Sequence, residues 1–230
     1  MQMTERQRWR FKGPEMEGIV ARWYAAIRRS GSQAAEYRKQ ASRLTAGLPE
    51  GADVLEVAPG PGYLAIEMAR QGAFHVIGLD ISRTFVKIAS ENAQQAAVSA
   101  DFRQGDAASM PFEAESFDLV VCQAAFKNFT RPASALSEMH RVLRAGGTAV
   151  IQDMSRDASH AAIEDEVRRM ELGAVSGFMT KATLEMLRRR AYSPAVFERL
   201  ASESPFLKHE VTTEGIGLEV RLTKRQADLI

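Results

Sequence analysis

At 230 residues the chain exceeds the ~150 of a typical domain but suits one α/β domain with additions. Its 45% hydrophobic and 26% charged residues exclude a disordered chain, and one cysteine, Cys122, excludes an internal disulfide framework. No apolar run approaches the ~20 residues of a membrane span, the first residues lack the apolar stretch of a secretory signal, and a net charge of +1 gives no long-range pull toward nucleic acid, so the expectation is a cytoplasmic protein.

In chain order, residues 14–29 place Met16, Ile19, Val20, Trp23 and Ile27 on one helical face. Residues 32–46 predict a second helix, with Ser32 as N-cap and Gly47 past its end. Residues 1–43 hold ten Lys/Arg against four Glu, a charge excess that fits a solvated helix face or a phosphate contact. The period then changes. Short apolar strands are expected over 53–58, 75–80, 98–103, 116–122 and 148–153, the last entered through a Gly146-Gly147 turn. Helices are expected over 63–70, from Ser82 to about 95, and over 132–143. Val-, Ile- and Leu-rich strands alternating with helices imply parallel pairing with both faces covered. Further helices are read over 160–172, 180–190 and from Ser193-Pro194, and strands over 207–213 and 218–223 form a hairpin.

The chemistry concentrates at Val54-Leu-Glu-Val-Ala-Pro-Gly-Pro-Gly62. Gly60 and Gly62 lie in the turn after the first strand, where a backbone without Cβ atoms lets a ligand approach closely. Eighteen residues after Gly62, at the end of the next strand, Asp80 is positioned to accept from both hydroxyls of a ribose. Together they indicate a nucleoside-containing cofactor. Gly60-Pro-Gly-Tyr-Leu-Ala65 also satisfies the dinucleotide pattern, but Glu56 would repel a pyrophosphate, and Pro61 lacks an N–H that a phosphate cradle would use. Each residue has a plainer alternative. Asp80 could cap the following helix, Asp106 could be a turn residue before Pro111, and Glu56 could bond a helix N-terminus.

Five motifs in order carry a resemblance: Glu56-Val-Ala-Pro-Gly-Pro-Gly62, Gly78-Leu-Asp-Ile-Ser82, Gly105-Asp-Ala-Ala-Ser-Met-Pro-Phe112, Ser116-Phe-Asp-Leu-Val-Val121 and Met139-His-Arg-Val-Leu-Arg-Ala-Gly-Gly-Thr148. Over residues 48–154 the chain resembles the class I S-adenosylmethionine-dependent methyltransferases, in particular the small-molecule group with a ubiquinone/menaquinone-type domain. The resemblance implies a doubly wound, seven-stranded, mostly parallel sheet of Rossmann-like type ending in an antiparallel hairpin. It implies S-adenosylmethionine as cofactor and S-adenosylhomocysteine as product. Glu56, Ala58, Pro59, Gly60 and Gly62 would hold the methionine end, Asp80 the ribose and Ile81 an adenine face. Asp106 and Ala107 would take the adenine edge, and the Gln123 backbone would line the sulfonium. Ala58 stands where the family usually has glycine, a departure tolerable if its φ is negative.

Four segments follow: an N-terminal helical cap (1–47), the cofactor-binding core (48–154), a helical lid (155–192), and a C-terminal helix and hairpin completing the sheet (193–230). Lys127 is the candidate catalytic residue. It would lower the pKa of an acceptor or bind an acidic group, with a solvent-facing loop position as the alternative. Tyr24, Phe126, Phe178 and Met179 are candidate substrate contacts, each with core as its more conservative reading, and Met154, Met170 and Met186 could join an adaptable apolar ceiling. The four histidines show no ligand spacing, so no metal is expected. The partner expected is a small, apolar or aromatic methyl acceptor, with homodimerisation left open. Two alternatives stand beside it. A methyltransferase for RNA or protein would draw on the basic N-terminus, although Gln123-Ala-Ala-Phe126 replaces the Pro-Pro tetrapeptide of amino-methylating nucleic-acid enzymes. A protein that binds the cofactor without catalysis is the other.

Overall fold

The computed structural model describes residues 16–27, 31–72 and 74–226. Seven strands form one sheet: β1 (Asp53–Val57), β2 (His75–Asp80), β3 (Ala100–Gln104), β4 (Phe117–Gln123), β5 (Leu143–Met154), β6 (Lys208–Glu214) and β7 (Gly217–Thr223). Their order is β3-β2-β1-β4-β5-β7-β6, with β7 antiparallel to both β5 and β6 and the remaining pairs parallel. The expected doubly wound sheet with its terminal hairpin is therefore present. From β1 the chain winds outward to β2 and β3, then returns to β4 on the other side of β1. That reversal opens a crevice at the C-terminal ends of β1 and β4, where open α/β sheets bind ligands.

Alternation along the strands sorts the core into two layers. Leu55, Val57, Leu79, Val120, Cys122, Ala149, Ile151 and Val220 face one way, against α5 (Pro132–Val142) and α8 (Pro194–Ser202), which contribute Leu136, Met139 and Phe197. Val54, Val76, Leu119, Val121 and Val150 face the other way, against α2 (Gly31–Thr45), α3 (Tyr63–Arg70) and α4 (Arg83–Gln95). Ser82 caps α4 as expected, its hydroxyl accepting from Phe85 N. Helix α2 begins at Gly31, so Ser32 falls inside its first turn rather than before it.

Three elements differ from expectation. Gly146 and Gly147 do not interrupt the fifth strand. Phe117 pairs with Leu143 and Leu119 with Thr148, so the extra residues of β5 form a bulge. Glycine suits that place, since a Cβ at Gly147 would press on the Arg144 and Asp118 carbonyl oxygens at 3.0 Å. The second lid helix, α7 (Ala174–Arg190), starts six residues before position 180 and takes in Gly177, which packs against Val167 of α6 (His160–Arg169). The third strand lies at Ala100–Gln104, two residues later at its start than the expected 98–103.

The start of α1 (Gly18–Ile27) docks on the start of α4. Glu17 accepts from Arg83 N at 2.9 Å, from Thr84 N at 3.1 Å and from the Thr84 hydroxyl, while Ser82 Oγ donates to Met16 O at 2.7 Å. Tyr63 Oη adds a bond to Ala25 O at 3.0 Å. Residues 1–15, which hold four of the ten Lys/Arg of the basic N-terminal segment, lie outside the described residues. No helix among the described residues is long and apolar enough to cross a membrane.

Candidate active site

The β1–α3 turn is built by backbone conformations that side chains resist. Gly60 and Gly62 have φ of +54° and +80°. They serve different purposes. A Cβ on Gly62 would come within 2.8 Å of Ala89 and Phe102, so this glycine allows helix and sheet to pack closely. A Cβ on Gly60 would meet nothing within 4 Å, leaving its face of the turn open for a ligand. Ala58 has φ +57°, so the condition of a negative φ is not met. Its N–H donates to Leu79 O at 2.7 Å, which holds the turn against the end of β2 at the cost of a left-handed alanine. Pro59 O accepts from Gly62 N at 3.0 Å and closes the turn.

Asp80, only 5% exposed, ties this turn to the next. Its carboxylate accepts from Gly60 N at 3.0 Å and from Ser82 N at 2.8 Å. Burial lifts its pKa to about 6 against those two lowering bonds, with the Glu17 charge adding to the rise. Glu56 is more isolated. Burial raises its pKa to about 8, with the Asp80 charge adding to the rise and the Ala65 N–H opposing it. The Ala65 bond is the helix-terminus contact considered as an alternative role. Even so, Glu56 Oε2 has no partner among the described residues. A buried carboxylate oxygen left without a donor is costly, and a cation or donor brought in by a ligand would relieve it.

Ile81 is half-buried beside Asp80. Asp106 takes the turn geometry weighed against its binding role. One oxygen accepts from Ala108 N at 2.9 Å, and the other pairs with Arg131 at 2.6 Å. Ala107 packs on the edge of the core beside it. Gln123 ends β4, and its side-chain amide donates to Gln40 on α2. Ala124, which follows, is left-handed at φ +56°.

Lys127 lies in a 3₁₀ turn, Phe126–Asn128, after β4. Its side chain is 6% exposed, so it does not point to solvent. The ammonium donates to Asp153 Oδ1 at 2.7 Å and to Ala124 O at 2.5 Å, and Lys127 N donates to Asp153 Oδ2 at 3.1 Å. This buried pair pins the ends of β4 and β5 together. Phe126 is fully buried against Phe129, Tyr192 and Phe197, with centroids 5.1, 6.0 and 5.2 Å away. It belongs to the core and is not a substrate wall, because none of its surface is open to a ligand. Tyr24 sits on the Asp80 side of the site, edge-on to Phe85 at 5.9 Å. Phe178 and Met179 lie on α7 and are 72% and 60% exposed. Met186 is also exposed, and Met154 is half-buried at the end of β5.

Sequence reasoning missed four participants: Asp153, Glu17, Arg131 and the arginines near the end of α7. Asp153 offered one signal, a carboxylate closing an otherwise apolar strand. The others depend on contacts between distant segments. Among the described residues, no group of three or more His, Cys, Asp or Glu could hold a metal ion.

Residues 55–151 match the family described as "Methyltransferase domain". The match takes in the strands and helices from β1 to β5 and leaves the rest of the chain outside it. Over 107 residues it is 36% identical to a demethylmenaquinone methyltransferase of Deinococcus radiodurans, covering 46% of this chain and 44% of that protein. The chain thus spans under half the length of the curated relatives it matches. A crystal structure of a candidate S-adenosyl-L-methionine-dependent methyltransferase from Methanococcus maripaludis superposes with a TM-score of 0.70 at 20% identity, covering 92% of this chain and 94% of the other. The [4+2]-cyclase SpnF superposes with a TM-score of 0.64 at 18% identity, over 86% of this chain and 84% of its own. These two likenesses are of fold. The glycine turn, Glu56 and Asp80 fall inside the matched segment, whereas α1, α2, α6, α7 and α8 lie outside it.

Proposed function

We propose that the chain transfers a methyl group from S-adenosylmethionine to a small acceptor. The observation that carries this is the pair of buried carboxylates, one with an unpartnered oxygen, beside a glycine turn that is open on one face. That donor set suits a ligand bearing hydroxyls and positive charge and opposes one bearing phosphates, which favours a sulfonium amino-acid nucleoside over a dinucleotide.

On this reading Asp80 receives the ribose hydroxyls, since a carboxylate has lone pairs beyond the two that the Gly60 and Ser82 amides occupy. Glu56 Oε2 faces the ammonium of the methionine end, and binding draws Glu56 into its ionised form. Gly60 admits the ligand against bare backbone. Ile81 packs on the adenine, and Asp106 with Ala107 takes its edge. For Asp106 this role requires sharing its carboxylate with Arg131. When bound, the cofactor supplies an electrophilic methyl carbon whose displacement leaves a neutral thioether. The chain's own task is alignment of the acceptor and exclusion of water, which require no base or metal. Lys127, held by Asp153, acts as a fixed polar wall of the acceptor space and not as a proton acceptor.

Helix α7 presents Val175, Phe178, Met179 and Met186, an apolar surface that supports an apolar or aromatic acceptor and a lid that folds over it. The test is turnover of a labelled methyl group with a panel of phenols, amines and thiols. Transfer to one of these classes supports the reading. Binding of S-adenosylhomocysteine with no transfer to any of them would refute it and favour a non-catalytic or non-methylating use of the fold, as the likeness to a cyclase allows.

A further inference from the structure

A cavity of about 410 Å³ opens beside the ends of β4 and β5, lined by Lys127, Arg156, Arg189, Arg190, Ala191 and Tyr192. A second hollow, of about 170 Å³, shares Arg156 and Arg189 with it and adds Arg188. Backbone bonds and packing place these residues together. Arg156 N donates to Tyr192 O at 3.0 Å, joining the segment after β5 to the segment after α7. The Tyr192 ring backs onto Phe126 and Phe197, so its wall is anchored in the core.

The charges are not balanced. Lys127 is neutralised by Asp153, and Arg188 by Glu185 at 3.0 Å. Arg190 donates to Asn128 Oδ1 at 3.2 Å. Arg156 and Arg189 have no carboxylate within ion-pair distance among the described residues, although both border the same space. Two arginines that line one cavity without acidic partners suit an oxyanion, which a guanidinium fork can bind in a bidentate manner. The location also matters. The cavity lies at the same sheet edge as the Gly60–Asp80 site, and β1 and β5 are separated only by β4. Two strand spacings put their ends roughly 10 Å apart.

Resting on the methyl-transfer reading above, we propose that the acceptor is a small organic acid whose carboxylate or phosphate docks on Arg156 and Arg189, with its apolar body reaching back toward the methyl-transfer position. Tyr192 supplies an amphipathic wall. This narrows the acceptor from any apolar compound to an apolar or aromatic one with an acidic end. The anionic end would set its orientation, so that the atom to be methylated points at β4.

The test is calorimetric binding of phenyl phosphate, benzoate and phenol to the full chain, with S-adenosylhomocysteine titrated into the same preparations. Phenyl phosphate, benzoate or both should bind more tightly than phenol, and the affinity should fall with added salt. The double variant Arg156→Ala/Arg189→Ala should weaken that binding by about ten-fold or more, while Arg156→Lys/Arg189→Lys keeps part of it. S-adenosylhomocysteine affinity should be the same in all three proteins, which also shows that the variants are folded. Phenol binding as well as both anions, or an alanine variant indistinguishable from wild type, overturns the proposal. So does the absence of anion binding to about 10 mM in a protein that binds S-adenosylhomocysteine. Loss of S-adenosylhomocysteine binding in the wild type would instead overturn the reading beneath it. Retention on single-stranded RNA through these arginines, without binding of either small anion, would make them a nucleic-acid surface and overturn the proposal.

Discussion

Replacing Glu56 with glutamine tests whether a buried carboxylate is held in reserve for a cation. In the free protein its pKa stands at about 8, against an ordinary 4.5. Between those values the folded state holds a proton that the unfolded chain has released, so stability falls as pH rises through this window. The full difference is about 3.5 units, or on the order of 5 kcal/mol once pH exceeds 8. Glu56→Gln removes this slope. Urea unfolding of the ligand-free proteins from pH 5 to pH 9 should show wild type losing stability relative to the variant as pH rises, most steeply between 5 and 8. Ligand binding should run the opposite way. S-adenosylhomocysteine, whose ammonium prefers the ionised carboxylate, should bind wild type more tightly as pH rises toward 8. The variant should lose about ten-fold or more in affinity at pH 8 with little pH dependence of its own. Parallel stability curves for the two proteins, together with equal affinities, would refute the reasoning.

Other substitutions probe the surrounding frame. Ala58→Gly should relieve a left-handed alanine at φ +57° and raise stability by up to about 1 kcal/mol after the entropy of the added glycine, measured by denaturant midpoint. Phe126→Ala should cost about 3–5 kcal/mol of stability, because the ring is fully buried, and leave S-adenosylhomocysteine affinity unchanged below the new melting temperature. Lys127→Met should cost about 3–5 kcal/mol by stranding Asp153, and Lys127→Met/Asp153→Leu should recover much of it. If the double variant is no more stable than the single one, the structural role of the pair is wrong.

The framework was legible because its signals are local. The strand His75–Asp80, the helix Tyr63–Arg70 and the Ser82 cap agree with the bounds read from apolar runs, glycine punctuation and capping chemistry. The glycine turn and Asp80 were equally readable, since their spacing along the chain is what brings them together. What escaped depends on long-range contact or on conformation. A negative φ was the condition under which Ala58 was tolerable, but the bond from its N–H to Leu79 O holds it at positive φ. Lys127 could be located after β4, yet its partner Asp153 lies 26 residues away, and nothing at either position alone predicts the pair. The arginines at 188–190 end a helix, and nothing in their local sequence says what they face. Only the turn of the chain through Ala191 and Tyr192, bonded to Arg156, brings them around a cavity.

The most direct measurement is a calorimetric titration of S-adenosylhomocysteine into the wild-type chain and Asp80→Ala. Saturable one-to-one binding by the wild type, reduced about 100-fold or more by loss of two charge-assisted bonds, is the result predicted. Equal affinity in the two proteins, or no saturable binding by the wild type, would contradict the account.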